Sequence, residues 1–431
     1  MKRLVKYIVF VFLIAVIFYV YKHQFKVFNI ALYDENLEWQ LTQKGLIGAK
    51  DFALDDDGNF YVAYSDKIQV IKGNGESFDI LKDKNLSITS LEYNDKKLYY
   101  ATGTKVCMYD LASKEQKDVV RDIPNFGDYK ESKIKIRDGN LYITIGSATN
   151  SGVVGQDNVW LKDYQYGHDI SPKDITIKGK NFGTEKTGAF VPYRTKNISG
   201  QIMPGHSPGN ATIVAYNLQS GGIQTLAWGI RNVKAMDFNS YSKIIAAVGG
   251  MENRGLRPVK GDTDYIYEVK NGAWYGWPDY SGGDPINSPK FKGENNSTIS
   301  FLLENHPSTN PPAPIYQHNN LSTIEALSVD TKGIIGEKDS IYFYDCKDNI
   351  VYRLNKTCVV NKIISLNSAS EVCSIKIAHN KLFILDSKAG GIYSIQKLQE
   401  TGSNKEIKNI YYYLLVVILG FVLILVYKWK N

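Results

Sequence analysis

One pattern of apolar and polar positions recurs six times along the chain. Alternating apolar residues lead into a turn, and two or three strand-forming residues follow it. The copies lie at 52–62, 91–100, 134–143, 236–245, 327–331 with 341–343, and 375–384. Period-two alternation predicts strands, and the Asp-, Asn- and Gly-rich turns between them predict hairpins. Six similar hairpins in one chain predict an all-β, six-bladed β-propeller, a fold in which 431 residues form a single unit.

The first three copies are spaced by about one four-stranded blade, and the next two gaps are about twice as long. Residues 147–224 and 249–321 are therefore read as insertions on a propeller of residues 28–397, and long loops on a rigid frame are where function concentrates. Residues 28–32 read as a strand that would pair with the final strand at 391–395 and close the ring.

Both ends of the chain are apolar. Residues 7–21 form a run of fifteen apolar or aromatic residues behind Lys2, Arg3 and Lys6, and residues 410–427 form one of eighteen before Lys428 and Lys430. The second is long enough to span a membrane, and the first spans if its flanking lysines snorkel. Residues 1–27 are thus expected to be an anchor, with a signal peptide as the competing reading, and residues 398–431 a linker and a transmembrane helix. Two spans would put both tails in the cytoplasm and the propeller outside the cell membrane. The stretch Leu398-Gln399-Glu400-Thr401-Gly402 resembles a cell-wall sorting signal, with Gln399 where that motif has Pro, so cell-wall attachment is an alternative.

Composition narrows the chemistry. A net charge of +7 is spread over scattered lysines without the basic, aromatic-interleaved stripe that nucleic acid needs. Neither a Gly-x-Gly-x-x-Gly turn nor a phosphate-binding Gly-Lys-Ser/Thr loop is present, which excludes the usual nucleotide chemistry. The four cysteines show no Cys-x-x-Cys spacing, leaving free thiols or one disulfide among Cys346, Cys358 and Cys373.

The densest motif is Trp274-Tyr275-Gly276-Trp277-Pro278-Asp279-Tyr280-Ser281-Gly282-Gly283. Upstream stand Trp228-Gly229-Ile230-Arg231-Asn232, Asn253-Arg254-Gly255-Leu256-Arg257-Pro258 and the Gly- and Ser-rich stretch 146–158. In this order the block, roughly residues 141–286, resembles the glucose/sorbosone dehydrogenase family of quinoprotein propellers. The resemblance implies pyrroloquinoline quinone (PQQ) and calcium at the mouth of the propeller channel. It gives Arg231 and Asn232 to the quinone and the carbonyls of Gly249 and Gly250 with Asp264 to calcium; Trp274, Tyr275, Trp277 and Tyr280 are read as a sugar-binding surface, because aromatic faces stack on sugar rings. Each has a structural alternative: Arg231 stacked on Trp228 or paired with Asp237, Gly249-Gly250 a turn, Asp264 a loop cap.

Two departures stand out. Residues 127–132 carry no histidine where the family has its catalytic base, and residues 368–372 lack the late arginines that reach the cofactor. His168, beside Asp169, and Asp128 are the candidate replacement bases. Two functions follow: a membrane-tethered sugar or polyol dehydrogenase passing electrons to a membrane acceptor, or a catalytically silent propeller that binds glycans or a protein partner.

Overall fold

The structure, a computed structural model, describes residues 28–398. Each repeated phrase is the innermost hairpin of a blade. The pairs are Asp51–Leu54 with Phe60–Ala63, Ile88–Asn94 with Lys97–Thr102, and Ile134–Arg137 with Asn140–Ile145. They continue with Val233–Phe238 and Ile244–Val248, Ile324–Asp330 and Ser340–Asp345, and Val372–Ala378 and Lys381–Asp386.

The turn residues explain the hairpins. Asp95-Lys96, Asp138-Gly139 and His379-Asn380 hold positive φ at both central positions, the geometry that matches the strand twist of two-residue hairpins. In the first blade the Asp55 carboxylate instead accepts the amides of Asp57 (3.1 Å) and Asn59 (2.8 Å) and folds the turn onto itself.

Six antiparallel sheets result, and an apolar layer lies between every neighbouring pair, the last against the first included. Both faces of each blade are covered, so strands such as Phe60–Ala63 are buried at every position. Ring closure differs from expectation. Leu37–Lys44 pairs with Gly391–Lys397 as the outer strand of the sixth blade, whereas Ala31–Leu32 joins the outer edge of the fifth against Ser365 and Ile364. The turn at Asp34, whose carboxylate accepts the Asn36 amide (3.0 Å), separates the two strands. Eight residues make the longer ladder, and they close the ring.

The inner strands face a central channel crossed by one connected set of charges. Lys376 of the sixth blade meets Asp51 of the first (3.3 Å) and Glu92 of the second (2.9 Å). Glu92 also holds Lys135 of the third blade (3.0 Å), which reaches Asp237 of the fourth (3.8 Å). Asp237 accepts the Ser328 hydroxyl of the fifth (2.8 Å), so all six blades are joined.

The insertions occupy 146–211 in the third blade and 249–264 and 269–315 in the fourth; Thr212–Asn217 and Ile223–Trp228, largely within the expected insertion, are blade strands. The insertions pack on each other around a separate core that includes Ile177, Phe190, Trp274, Trp277, Tyr280, Phe291 and Leu302. A backbone bridge from Ile177 to Leu303 stitches them together.

No helix among the described residues is long and apolar enough to cross a membrane. The expected anchors and sorting signal lie outside the described residues. All four cysteines are free, so the one-disulfide alternative does not hold.

Candidate functional site at the propeller mouth

The inner strands begin at one end of the channel, and there a cleft of about 830 Å³ opens. Lys50, Lys130, Lys133 and Lys234 line it, and Asp128, Glu131, Glu325 and Glu371 offset them charge for charge. Lys234 is paired with Glu325 at 3.0 Å. On the rim, Phe126 and Tyr164 stack with centroids 5.0 Å apart. Tyr164 is 46% exposed, so this pair offers ring surface to the cleft.

Arg231 stands behind this cleft, between the outer strand of the third blade and the inner strand of the fourth. Its chain is held close by Gly229, whose φ is +63° and whose position would put any Cβ into the Trp274 ring. Arg231 is only 4% exposed, and its donors are taken by the chain itself. Nε donates to the Asn150 carbonyl (2.9 Å), and Nη1 to the carbonyls of Gly249 (3.1 Å) and Gly250 (2.5 Å). Nη2 reaches Asn150 Oδ1 (2.8 Å), the Tyr129 hydroxyl and Glu252 (3.4 Å). The Tyr129 ring covers the guanidinium face at 4.1 Å.

Neither Trp228 nor Asp237, the partners considered from sequence, holds Arg231. Asn232 lines the cleft, and its carbonyl accepts the Gly249 amide (2.9 Å). Asp264 is buried and caps the start of the fifth blade. Its carboxylate accepts the amides of Ser322 (2.8 Å), Thr323 (2.7 Å) and Ile324 (3.0 Å).

The four rings read as a sugar platform are core residues. Trp274, Tyr275, Trp277 and Tyr280 are 3–7% exposed. Trp274 packs edge-to-face on Tyr280 (5.6 Å) and Trp277 on Phe190 (5.7 Å). Tyr275 lies in the apolar layer between the third and fourth blades, its hydroxyl accepting the Lys270 amide (2.8 Å). Trp277 is nevertheless tied to Arg231, because its Nε1 donates to the same Asn150 carbonyl (3.1 Å). The tryptophan-rich turn therefore builds the wall behind the site, and its ring faces are spent on packing.

The candidate bases differ in place. Asp128 lines the cleft, but its oxygens accept Trp160 Nε1 (2.8 Å) and Asn158 Nδ2 (2.9 Å) and pair with Arg254 (2.8 Å). His168 lies in the first insertion with Nδ1 3.0 Å from the Tyr166 carbonyl, outside the residues lining the cleft.

Sequence reading missed Tyr129, Glu252 and Arg254. The Tyr129 hydroxyl donates to Glu252 (3.0 Å) and accepts from Arg254 (2.7 Å), while Arg254 pairs with Glu252 (2.5 Å) and Asp157 (2.8 Å). Burial first of all pushes the Tyr129 phenol up to about 12. Tyr129 lies within the very stretch, 127–132, noted for lacking histidine, and Arg254 within a quoted motif; only their convergence was hidden.

No family model and no curated protein matches the sequence. Solved structures do match in fold. The calcium structure of the Trichoderma reesei Carbohydrate-Active Enzymes Family AA12 protein gives a TM-score of 0.59 at 13% identity, covering 86% of this chain and 97% of that one. The PQQ domain of Coprinopsis cinerea pyranose dehydrogenase gives 0.57 at 11% identity, with 86% and 97% covered. The PQQ-bound aldose sugar dehydrogenase of Streptomyces coelicolor gives 0.51 at 12%, with 85% and 99% covered. The fold is that of the quinoprotein sugar dehydrogenase propellers.

Against this sugar dehydrogenase-like fold, the residues present do not fit the cofactor the resemblance implies. A planar, carboxylate-rich quinone needs free guanidinium edges or a free face. Arg231 offers neither, since its edges are bonded to chain oxygens and its face is covered by Tyr129. The Gly249 and Gly250 carbonyls point at a cation already, the guanidinium itself. Among the described residues no group of three or more His, Cys, Asp or Glu side chains could hold a metal. The mouth's balanced charges supply no net attraction for a polyanion.

One buried acid beside this wall gives a pH prediction. Burial pushes the Asp169 carboxyl up to about 7, against hydrogen bonds from Thr149 Oγ1 (2.5 Å) and the Ala148 amide (2.6 Å). A folded value above the unfolded one, near 3.8, means the folded state binds this proton more tightly. Its contribution to stability is full below about pH 4 and is lost as pH rises toward about 7. Melting temperature from about pH 4 to 8 is expected to drop more in the wild type than in Asp169→Asn; parallel profiles would refute this.

Proposed function

We propose that this propeller binds a neutral, polyhydroxylated ligand, a sugar or glycan, at its mouth and does not oxidise it through a bound quinone. The observation that carries this reading is the Phe126–Tyr164 stack on the rim of a polar, charge-balanced cleft. Aromatic faces pack on the apolar faces of sugar rings, and a polar lining pairs with hydroxyls. The saturated Arg231 argues against the oxidative step. Display outside the cell, tethered through the apolar chain ends, would place the mouth among extracellular glycans.

A second reading, a PQQ-dependent sugar dehydrogenase serving a membrane electron acceptor, is favoured by one observation. Arg231, Asn232, Gly249 and Gly250 come together beside the mouth of a fold shared with PQQ sugar dehydrogenases. In that reading Tyr129 would have to leave Arg231 to admit the quinone.

One set of titrations separates the two. Neutral mono- and oligosaccharides are expected to bind the purified full-length protein, and Tyr164→Ala to weaken that binding about tenfold. Pyrroloquinoline quinone with calcium is expected to leave the quinone spectrum and the protein's tryptophan fluorescence unchanged. Quinone binding with dye-linked aldose oxidation would establish the dehydrogenase and overturn the binding-only reading.

A further inference from the structure

Resting on the carbohydrate reading above, we infer that a second cavity, on the other side of Arg254 from the mouth, is a further sugar-binding subsite, so that the ligand is an oligosaccharide. The cavity has a volume of about 510 Å³, within the range of small-ligand sites. Its walls come from three stretches brought together by the two insertions: Gly183, residues 253–260 and residues 293–296.

Its chemistry is that of a hydroxyl-binding surface. Asn253, Asn295 and Asn296 line it, each with a carboxamide that can donate and accept at once. These amides take no part in the side-chain hydrogen bonds that tie down Asn150, Asn181, Asn197 and Asn210. Lys260 and Glu294 add one charge of each sign. Leu256 and Pro258 supply apolar floor. This mixture suits neutral polyols and disfavours an anion or an apolar ligand.

The cavity is also preformed, which lowers the entropic cost of binding. Asn295 and Asn296 are fixed in the left-handed region (φ 53° and 61°) by a turn in which the Gly293 amide donates to the Ser297 carbonyl (2.8 Å). The paired amides and carbonyls of Lys260 and Lys292 (2.8 and 2.9 Å) hold that turn to the opposite wall. Gly183, at φ +69°, lets the first insertion close over Leu256, where a Cβ would come within 2.9 Å of the leucine side chain.

Arg254 links the two cavities. It lines the second one, while its guanidinium pairs with Asp128, which lines the mouth (2.8 Å), and with Asp157 (2.8 Å). Two polar hollows sharing one wall suit consecutive units of a single glycan chain.

The test compares glucose with β-1,4- and α-1,4-linked glucose trisaccharides by titration calorimetry on the full-length protein. At least one trisaccharide is expected to bind about tenfold tighter than glucose, and Asn295→Gly with Asn296→Gly, which removes both carboxamides and keeps the left-handed backbone, to abolish that gain while leaving glucose affinity unchanged. Both positions are exposed and glycine adopts their positive φ without strain, so the fold should tolerate the change, and an unaltered melting temperature verifies it. Equal affinity for glucose and both trisaccharides, or a gain that survives the double substitution, would overturn the subsite. Loss of glucose binding in Tyr164→Ala reports on the mouth alone, so the two readings fail separately. A trisaccharide that binds with no detectable glucose binding, and is lost in the double variant, supports the subsite and counts against the mouth.

Discussion

Replacing Arg257 by alanine is expected to destabilise the insertion domain by about 3–5 kcal/mol, the cost of leaving a buried charge without its partner. Arg257 Nη2 pairs with Asp279 at 3.0 Å, and the two side chains are 2% and 0% exposed. The same guanidinium donates to the carbonyls of Ser151 (3.1 Å), Pro278 (2.9 Å) and Ser300 (2.9 Å), so it pins three separate stretches to one point. Asp279 in turn accepts the amides of Leu302 (2.8 Å) and Leu303 (2.8 Å) and lies 3.0 Å from His306 Nε2. Without Arg257 that carboxylate keeps its amides but loses its countercharge.

Urea denaturation should register the loss, and limited proteolysis should cut the variant first within 146–211 or 269–315. Lys72→Ala, which breaks an exposed pair with Glu76, is the control and should leave stability unchanged. An Arg257→Ala protein as stable and as protease-resistant as the wild type would show that the apolar core alone holds the insertions.

Glu92→Ala should have an effect of similar size, about 3 kcal/mol, but on the propeller itself. One carboxylate there neutralises two mostly buried ammonium groups, Lys376 at 2.9 Å and Lys135 at 3.0 Å. Its removal leaves Lys376 with Asp51 and Lys135 with a more distant Asp237, and the second and third blades lose their link across the channel. Glu92→Gln, which keeps shape and one acceptor, should cost less. Melting curves of the two variants check the order, and an alanine variant no worse than the glutamine one would contradict it.

The same circuit sets an acid limit. Burial by itself would raise Asp51, yet Lys376 and the Leu91 amide hold its carboxyl below the usual 3.8. A depressed value means stability that is present above the unfolded pKa and lost as pH falls through the folded one, so Asp51 contributes to unfolding only in strongly acidic solution.

How far the candidate site could be read from sequence depended on what each residue touches. Arg231 and the Trp277 turn, both expected around the channel mouth, donate to one carbonyl of Asn150 but stand behind the cleft and do not line it. Their roles were not legible, because Arg231's donors are consumed by Asn150, Gly249 and Gly250, residues far from it in the chain. Aromatic density at 274–280 looked like a surface for sugars and became core, since two insertions of 45 residues or more need an apolar interior of their own. Exposed Tyr164 and half-buried Phe126 are separated by 38 positions and carry no motif, so only folding brings the rings together. Asp264 shows the same limit: a loop cap and a metal ligand look alike until the amides of Ser322, Thr323 and Ile324 are seen around it.

Local chemistry alone determined the strands, the hairpin turns and the number of blades, because alternation and turn residues act over a few positions and repeat visibly. Tertiary structure decided which strand closes the ring, which rings stay exposed and whether Arg231 keeps a free donor. These outcomes depend on competition among distant groups for the same buried space and the same hydrogen bonds, and no short stretch of sequence contains both competitors.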